Sequence, residues 1–300
     1  MKLDTIVKFN KELKLIINKS DSFESVGWVD HNYECMLSFC ESQDYLSIAL
    51  TRDNIAALFV KAEDIKNVDS EISFILSNNP KKDFYLFHNY LAKETNFYGK
   101  NVPTKISSTA NIHETAFICE KNVKIGKNVI IEPKVTVLEN SIIEDNVIIR
   151  AGSVIGCEGV EYKRFRDTMV SVIHAGGVWI KRNTVIGSNC CINKSVFDDF
   201  TVIDEGVIIG NLVSVGHNCI IGKRTLLLTH VMIGGSTIID EDVWVGPGAL
   251  IADRKKIGKE AFVTMGSVVT KDVSAGVKVS GNFAISHEKF IKHIKDLSKL

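Results

Sequence analysis

A six-residue period is the feature of this chain that most constrains its fold. Aliphatic residues recur every six positions through two thirds of the sequence, without a slip from Ile203 to Val269. Such a period makes one short flat strand and one turn per repeat, and three repeats close one triangular coil. Because a coil buries its inward side chains only against neighbouring coils, the stack is the stable unit. The period therefore predicts a parallel β-helix.

The repeat has an inward position and a second, smaller register four positions further on. The second register holds small or aliphatic residues from Val207 to Ser267, with Lys255 as its one poor fit. The inward position is occupied by Ile125, Ile131, Val137, Ile143, Ile149, Ile155, Ile180, Ile186 and Ile192, and by every sixth residue from Ile203 onward.

The period breaks twice. The segment between Ile155 and Ile180 is too long for a turn and rich in glycine, aromatic residues and arginine, which predicts a loop insertion over 157–178. Between Ile192 and Ile203 the period is one residue short. We expect a tighter corner there, around Asp198 and Asp199.

The first hundred residues lack the period and favour a small α/β domain. Asn79 followed by Pro80 is a helix start signal. The other predicted elements are a helix near 4–18 and strands at 23–29, 36–40, 55–61 and 71–76. We divide the chain into a nucleotide-binding α/β domain (1–103), a β-helix (104–284) and a C-terminal amphipathic helix (285–300).

Composition narrows the functional class. The chain has 36 basic and 36 acidic residues and a pI near 7.1, which argues against a nucleic-acid binder. The first thirty residues contain no long apolar stretch, so we expect neither a signal peptide nor membrane insertion. Seven cysteines without a CxxC pair are typical of reduced thiols, and we expect a cytoplasmic protein.

Three segments carry a resemblance that extends over nearly the whole chain. They are LSFCESQDY (37–45), VIGCEGVEY (154–162) and VIIGNLVSVGHNCIIG (207–222). Together they resemble the UDP-3-O-acylglucosamine N-acyltransferases of lipid A synthesis. In that family two aromatics sandwich uracil, a loop contacts the sugar, and a histidine followed by Asn is the base. The resemblance implies a left-handed β-helix and a homotrimer with sites between subunits.

The chain departs from that family at several positions. Ser42 replaces an Asn between the aromatics, Gly210 replaces an acid seven positions before the histidine, and Arg254 replaces a second histidine. The tail VVTKDVSAGVKVSGNFAISHEKF looks like the tail of coenzyme-A-using hexapeptide acetyltransferases.

We therefore expect an N-acyltransferase that moves an acyl group from acyl-CoA to a UDP- or dTDP-linked amino sugar for surface glycans. One alternative is the family's own reaction, with an acyl carrier protein as donor. The other is a non-catalytic solenoid that binds nucleotide sugars. No metal is expected, since the His217 to His230 spacing does not fit a three-histidine zinc site.

The best catalytic candidate is His217, at an outward corner position of its repeat. A neutral imidazole there can take the proton that an amine loses when it attacks a thioester. Gly235 stands at the equivalent position one coil along, on the same side, where its N–H could hold an oxyanion. The structural alternatives are a solvent-exposed histidine and a glycine required by a tight corner.

The binding candidates follow the resemblance. Stacking of the nucleobase is assigned to Phe39 and Tyr45, with Ser42 at the base edge. In the insertion, Arg164 and Arg166 are assigned to the diphosphate. Tyr162 is a further substrate-binding candidate of the insertion, and His174 is assigned to the same cleft. The structural alternatives are an aromatic core pair and a solvated charged loop.

The donor candidates lie further along the β-helix. Gly248 and Gly266 occupy equivalent positions in adjacent coils and would line a groove for a pantetheine arm. Arg254 and Lys271 could meet coenzyme A phosphates. For any single cation, a charged solvent-facing surface is the structural alternative.

Overall fold

The protein consists of a small α/β domain, a three-faced stack of parallel strands and a C-terminal helix. The computed structural model describes residues 1–66, 68–99, 101–166, 168–281, 284 and 286–297. The predicted fold class, a left-handed parallel β-helix with a small α/β domain and a short C-terminal helix, is confirmed. Among the described helices, none is long and apolar enough to cross a membrane.

The α/β domain is built on one mixed sheet. Its helices are α1 (Asp4–Phe9), α2 (Gln43–Leu50) and α3 (Pro80–Glu94), and its strands are β1 (Lys14–Ile16), β2 (Ser25–Val26), β3 (Met36–Phe39), β4 (Ile55–Val60) and β5 (Ser73–Leu76). The strand order is β1-β5-β4-β3-β2, and β1 alone runs antiparallel to its neighbour. Every residue of β4 is buried, as expected of a central strand covered on both faces.

Two features of this domain differ from the sequence-based prediction. The helix predicted near 4–18 starts as expected but is shorter, because α1 ends at Phe9 and Lys14–Ile16 form β1, which pairs with β5. Sheet hydrogen bonds to β5 take the place of a helix over Lys14–Ile16. The short helix α2 was not predicted. The helix start at Pro80 is confirmed, and the Asn79 side chain accepts a hydrogen bond from the Lys82 N–H.

The β-helix has three faces of parallel strands. Face 1 comprises Lys105–Ile106, Val123–Ile125, Ser141–Ile143, Gly177–Ile180, Phe200–Ile203, Ile220–Ile221, Ile238–Ile239 and Lys256–Ile257. Face 2 comprises Asn111–Ile112, Ile130–Ile131, Ile148–Ile149, Val185–Ile186, Ile208–Ile209, Leu226–Leu227, Trp244–Val245, Phe262–Val263 and Lys278–Val279. Face 3 comprises Phe117–Ile118, Thr136–Val137, Val154–Cys157, Cys191–Asn193, Ser214–Val215, Met232–Ile233, Leu250–Ile251 and Val268–Val269.

The inward aliphatic side chains form one continuous core. Each predicted inward residue from Ile125 to Val269 is at most 6% exposed. Strand partners such as Ile221 and Ile239 come from successive coils, so each inward side chain packs on its equivalent in the next coil. The predicted ladder is confirmed, and the core is built from stacked rows of equivalent side chains.

Both interruptions of the period leave the β-helix at the same corner, where face 3 passes to face 1. On face 1, Ile143 pairs with Ile180 and Ile180 with Ile203, whereas an uninterrupted coil pairs Ile203 with Ile221. The step from Ile180 to Ile203 is longer than the regular step, so the tighter corner expected near Asp198 and Asp199 is wrong. The chain bulges out there instead. The longer insertion contains a β-hairpin with strands Tyr162–Phe165 and Thr168–Ser171.

The insertions hold the α/β domain on the β-helix. Phe197, from the shorter insertion, is fully buried and packs edge-on against Trp28 at 5.1 Å between ring centroids. The Asn89 side chain on α3 donates to the carbonyl of Ser171 and accepts from the N–H of Ile173. Burial lowers the pKa of His88 to about 4, so its neutral ring donates through Nε2 to the Ile173 carbonyl.

The C-terminal helix, α4 (His287–Leu297), follows the last coil. Phe290, Ile291 and Ile294 lie at helical spacing and are exposed. Of the predicted helix over 285–300, residue 285 and residues 298–300 lie outside the described residues.

Stacking of the inward aliphatic side chains predicts that two neighbouring residues of one strand contribute very differently to the free energy of unfolding. We expect Ile257→Ala to lower the free energy of unfolding by about 2–5 kcal/mol, since Ile257 is fully buried and truncation leaves a cavity. The matched control, Lys256→Ala, removes an exposed side chain and should change it by no more than about 0.5 kcal/mol. Urea unfolding measures both, and equal losses would contradict the stacking model.

Candidate active site

The candidate site lies on the corner where face 3 passes to face 1, here named the site corner. Three successive turns stack there, with turn residues His217–Asn218, Gly235–Ser236 and Asp253–Arg254. In each turn the second residue has a positive φ, between 57° and 59°. This shared geometry points the first residue of each turn outward at the same corner. The two insertions occupy the site corner in the coils immediately before His217.

Main-chain hydrogen bonding fixes the tautomer of His217. Asn218 Oδ1 accepts the backbone N–H of Val196 at 3.0 Å, which identifies that atom as the amide oxygen. His217 Nδ1 lies 3.0 Å from the same oxygen and must therefore carry the proton. The lone pair of the neutral ring is left on Nε2, which is the nitrogen a general base would use.

A carboxylate lies on the Nε2 side of the ring. Glu161, from the longer insertion, places Oε2 3.7 Å from His217 Nε2, and the two side chains are only 13% and 15% exposed. The other carboxylate oxygen of Glu161 is paired with Lys163. Sequence analysis identified no acid for this histidine, and the structure supplies one from the insertion.

His174 lies behind His217 and does not face the open cleft. It is 1% exposed, and its ring meets that of His217 edge-on at 5.4 Å. Burial, with a smaller contribution from His217, lowers the pKa of His174 to about 3, so the ring is neutral. Its Nε2 accepts the N–H of Gly159. The structure thus places His174 as packing behind the candidate base.

Gly235 has no side chain because the imidazole of His217 occupies the space beside it. A Cβ at this position would lie 2.7 Å from His217 Nε2 and Cε1. Gly235 has no positive φ, so a strained corner does not require glycine here. Its N–H donates to none of the described residues.

Two adjoining cavities form one cleft along the α/β domain and the site corner. The first cavity holds about 280 Å³ and is here named the nucleotide end only because it contains Phe39 and Tyr45, the residues predicted to stack on a nucleobase. It is lined by Trp28, Val29, Asp30, Phe39, Glu41, Tyr45, Lys81, Tyr85, Lys163 and Arg254. The transfer end, about 290 Å³, is lined by Trp28, Val160, Glu161, Lys163, His217, Gly235, Ser236, Asp253 and Arg254. Trp28, Lys163 and Arg254 belong to both ends, so two cations stand where the ends meet.

Trp28 and Arg254 form the junction. The guanidinium of Arg254 lies 4.9 Å over the indole ring and 3.6 Å from an oxygen of Asp30. Trp28 is held in turn by the hydrogen bond from its Nε1 to the Tyr85 hydroxyl, at 2.8 Å. Arg254, predicted to meet coenzyme A phosphates, instead lies inside the cleft next to the α/β domain.

Phe39 and Tyr45 both line the nucleotide end. Phe39 packs on Phe84 at 4.8 Å, whereas Tyr45 is 55% exposed, and the two rings do not touch each other. Ser42 lies outside the cleft lining. Its hydroxyl caps α2 by accepting the N–H of Tyr45, so it serves the helix start, a role the sequence analysis did not assign to it.

Alternation along the hairpin separates the insertion residues into two sets. Glu161 and Lys163 face the cleft, whereas Tyr162, Arg164 and Arg166 point away and are exposed. Successive side chains of a strand point to opposite sides. Arg164, predicted to bind the diphosphate, therefore points away from the face on which Lys163 lines the cleft. Sequence reasoning missed Trp28, Glu161 and Lys163; alternation along a strand would have separated Glu161 and Lys163 from Tyr162 and Arg164 once the hairpin was recognised.

The remaining donor candidates lie elsewhere on the β-helix. Gly248 and Gly266 stack on the corner between face 2 and face 3, here named the second corner, with positive φ and open space around them. Lys271 is exposed at the site corner, one coil beyond Arg254. The structure does not bring these glycines together with His217 within one chain.

Comparison with known proteins gives the family context. The model "Bacterial transferase hexapeptide (six repeats)" matches residues 122–157. A UDP-3-O-acylglucosamine N-acyltransferase of Helicobacter hepaticus is 29% identical, covering 99% of this chain and 96% of the relative. One from Helicobacter pylori is 30% identical, covering 70% and 68%. The structure of a Francisella novicida UDP-N-acetylglucosamine acyltransferase matches with a TM-score of 0.50 at 25% identity, over 63% of this chain and 73% of that one.

These relatives correct the expected reaction. The prediction of a coenzyme-A-dependent transferase for surface glycans is wrong, because the relatives that span the chain are named UDP-3-O-acylglucosamine N-acyltransferases. They favour the first alternative, which is the reaction of the UDP-3-O-acylglucosamine N-acyltransferases themselves. The resemblance of the tail to acetyltransferases was misleading, and part of that tail, residues 282, 283 and 285, lies outside the described residues.

The geometry at His217 predicts a large and local effect on acyl transfer. We expect His217→Ala to lower kcat by about 10²–10⁴-fold, the usual contribution of a general base. His113→Ala is the control, because the His113 side chain is exposed and, among the described residues, bonds only to Thr115 two positions along. Both are measured as thiol release from the acyl donor. Similar rates for the two variants would contradict the assignment of His217 as the base.

Proposed function

Because the chain belongs to the UDP-3-O-acylglucosamine N-acyltransferase family, we propose that it acylates the free amine of UDP-3-O-acylglucosamine in lipid A synthesis. The chain is an N-acyltransferase. The proposed donor is an acyl thioester of acyl carrier protein. We assign nucleotide binding to residues 1–103 and transfer to residues 104–284.

The observation that carries this proposal is the continuity of the cleft. It runs from the aromatic side chains of the α/β domain, past Lys163 and Arg254, to His217 and Gly235. A nucleotide sugar has the same order of parts: a base, a diphosphate and a sugar. The two cations stand where the diphosphate would lie, and Arg254 can bind phosphate oxygens in a bidentate manner.

The transfer follows from the groups at the far end. The amine nitrogen attacks the thioester carbonyl, a C–N bond forms, and the C–S bond then breaks. Nε2 of His217 takes the proton from the attacking nitrogen, and the departing thiolate takes up a proton. The N–H of Gly235, next to that Nε2, stabilises the negative oxygen of the tetrahedral intermediate.

We assign recognition of the edge of the nucleobase to the ion pair of Lys81 and Glu41, in place of Ser42. Lys81 Nζ donates to Glu41 Oε2 at 2.8 Å, and both residues line the nucleotide end beside Phe39 and Tyr45. Uracil presents a donor at N3–H and an acceptor at O4, which a carboxylate and an ammonium match. Cytosine reverses both groups. The pair therefore offers the donor and acceptor that the family's Asn amide would provide.

We place the donor arm between subunits of a homotrimer. Gly248 and Gly266 form a strip without side chains on the second corner, whereas His217 lies on the site corner. An arm lying along these glycines would reach a His217 most directly on a neighbouring subunit. The exposed Lys271 is close enough to the site corner to meet an acidic carrier protein.

A cytoplasmic location is also part of the proposal. All seven cysteines are free thiols, including the adjacent Cys190 and Cys191. Thiols of this number persist where the environment is reducing.

The decisive experiment compares donors. We expect amine-dependent thiol release from acyl carrier protein when UDP-3-O-acylglucosamine is present, with a product that gains one acyl group by mass. The matched acceptor control is the same nucleotide sugar with its amine already acetylated. Transfer from acyl-CoA but not from the carrier protein would overturn the proposed donor. Thiol release that ignores the amine would overturn the reaction.

The ion pair at the base edge gives a prediction about affinity. We expect Lys81→Met to raise KM for the UDP-linked acceptor about 5- to 10-fold, the effect of one lost hydrogen bond, with kcat little changed. The control is Lys82→Met, which removes a neighbouring lysine that lines a different surface. Initial rates against acceptor concentration measure both constants. An unchanged KM in Lys81→Met would remove the pair from base recognition.

A further inference from the structure

The acid that the resembled family places seven positions before its histidine is absent from this chain. The position seven before His217 is Gly210, which lies on the second corner. A Cβ there would lie 2.8 Å from the backbone nitrogen of Thr229 in the next coil. Because the obstacle is backbone, a side chain at 210 would require a local shift of the main chain. Any acid that assists His217 must therefore come from elsewhere.

Glu161 is the carboxylate that meets His217. Its Oε2 lies 3.7 Å from Nε2, and among the described residues it is the carboxylate that forms an ion-pair contact with that ring. Both side chains are largely buried, so solvent screens their interaction weakly. At 3.7 Å the carboxylate and the imidazole form an ion pair once the ring is protonated.

The orientation of both partners is fixed. His217 donates through Nδ1 to Asn218, so a proton taken up by the ring arrives on Nε2, facing Glu161. Glu161 is held in turn through Oε1 by Lys163, whose Nζ also lies 5.3 Å over the ring of Tyr85. The carboxylate thus has one oxygen for the lysine and one for the imidazole.

We propose that Glu161 is the positioning residue of His217, so that in this chain the acid is supplied by the hairpin insertion. Its negative charge stabilises the imidazolium that forms as the amine loses its proton. This rests on the proposed function, in which His217 is the base. Glu161 acts through the histidine: its Oε2 lies 3.7 Å from Nε2, the nitrogen that takes up the proton, and it contacts no atom of the substrate amine or thioester in this role.

Other charged or titratable groups face the same ring and must be considered together with Glu161. They are His174, 5.4 Å away between centroids, and Lys163, Asp253 and Arg254, which line the transfer end. The pKa of His174 is lowered to about 3, so this ring is neutral and adds no charge in the working range. Lys163 carries the charge opposite to that of Glu161, so removing the lysine should affect the protonation of His217 in the opposite direction.

The first test is the titration of the His217 ring, followed by NMR and assigned by the signal lost in His217→Ala. Glu161→Gln should move the midpoint to lower pH, because the imidazolium loses its counter-charge. Lys163→Met should move it to higher pH. The control, Glu158→Gln, changes an acid of the same insertion that lies near Lys194 and should move nothing. A midpoint unmoved in Glu161→Gln overturns the proposal.

The second test is kinetic. Glu161→Gln should lower kcat about 10- to 100-fold, the loss expected for a charge-assisted interaction, with KM for the nucleotide sugar within about twofold. The acid limb of its pH–rate profile should move to lower pH, and Glu161→Asp should recover part of kcat. A rise in KM with an unmoved profile would make the role merely structural and overturn the proposal.

The two tests separate this inference from the proposed function. If the wild-type protein forms no product from UDP-3-O-acylglucosamine, the proposed function fails. The titration still decides whether Glu161 governs the proton on His217. A thermal melt of each variant identifies any that fail to fold, and for such a variant Glu161→Asp replaces Glu161→Gln in the titration, with a smaller shift in the same direction expected.

Discussion

Parallel pairing of each strand with its equivalent one coil away is the constraint on which the site depends. Because every inward side chain packs on its equivalent in the next coil, a corner residue cannot slide along the axis without disrupting the core. The turns of His217, Gly235 and Arg254 are therefore held about 4.8 Å apart in succession. An imidazole, a peptide N–H and a guanidinium acquire fixed spacing from a stack of aliphatic residues that never touch substrate.

The insertions preserve that regularity apart from one register shift between Ile155 and Cys157, where the longer insertion begins. Both leave and rejoin the β-helix between the same two faces, so the strands before and after them keep their pairing. One insertion contributes Phe197, which packs the α/β domain against the corner. The other contributes Glu161 and Lys163, which line the cleft. Docking of the domain and construction of the transfer end therefore occur at one place on the molecule.

The sequence predicts the β-helix and places His217 on an outward corner, because a strict period determines which side chains face inward. It does not determine what an irregular segment does. The stretch from Ile192 to Ile203 fits two interpretations equally well: two repeats that lack one residue, or one repeat with an insertion. The pairing of Ile180 with Ile203 shows that the second interpretation is correct. Likewise, the hairpin register selects Glu161 and Lys163 over Arg164, and helix capping occupies Ser42.

The bond from the Val196 N–H to Asn218 has a consequence for how this site can evolve. That bond identifies the amide oxygen, and the oxygen in turn decides which nitrogen of His217 is basic. The deciding donor belongs to the main chain, so every residue type except proline provides it. Substitution of the side chain at position 196 by any residue other than proline therefore leaves the tautomer of His217 unchanged.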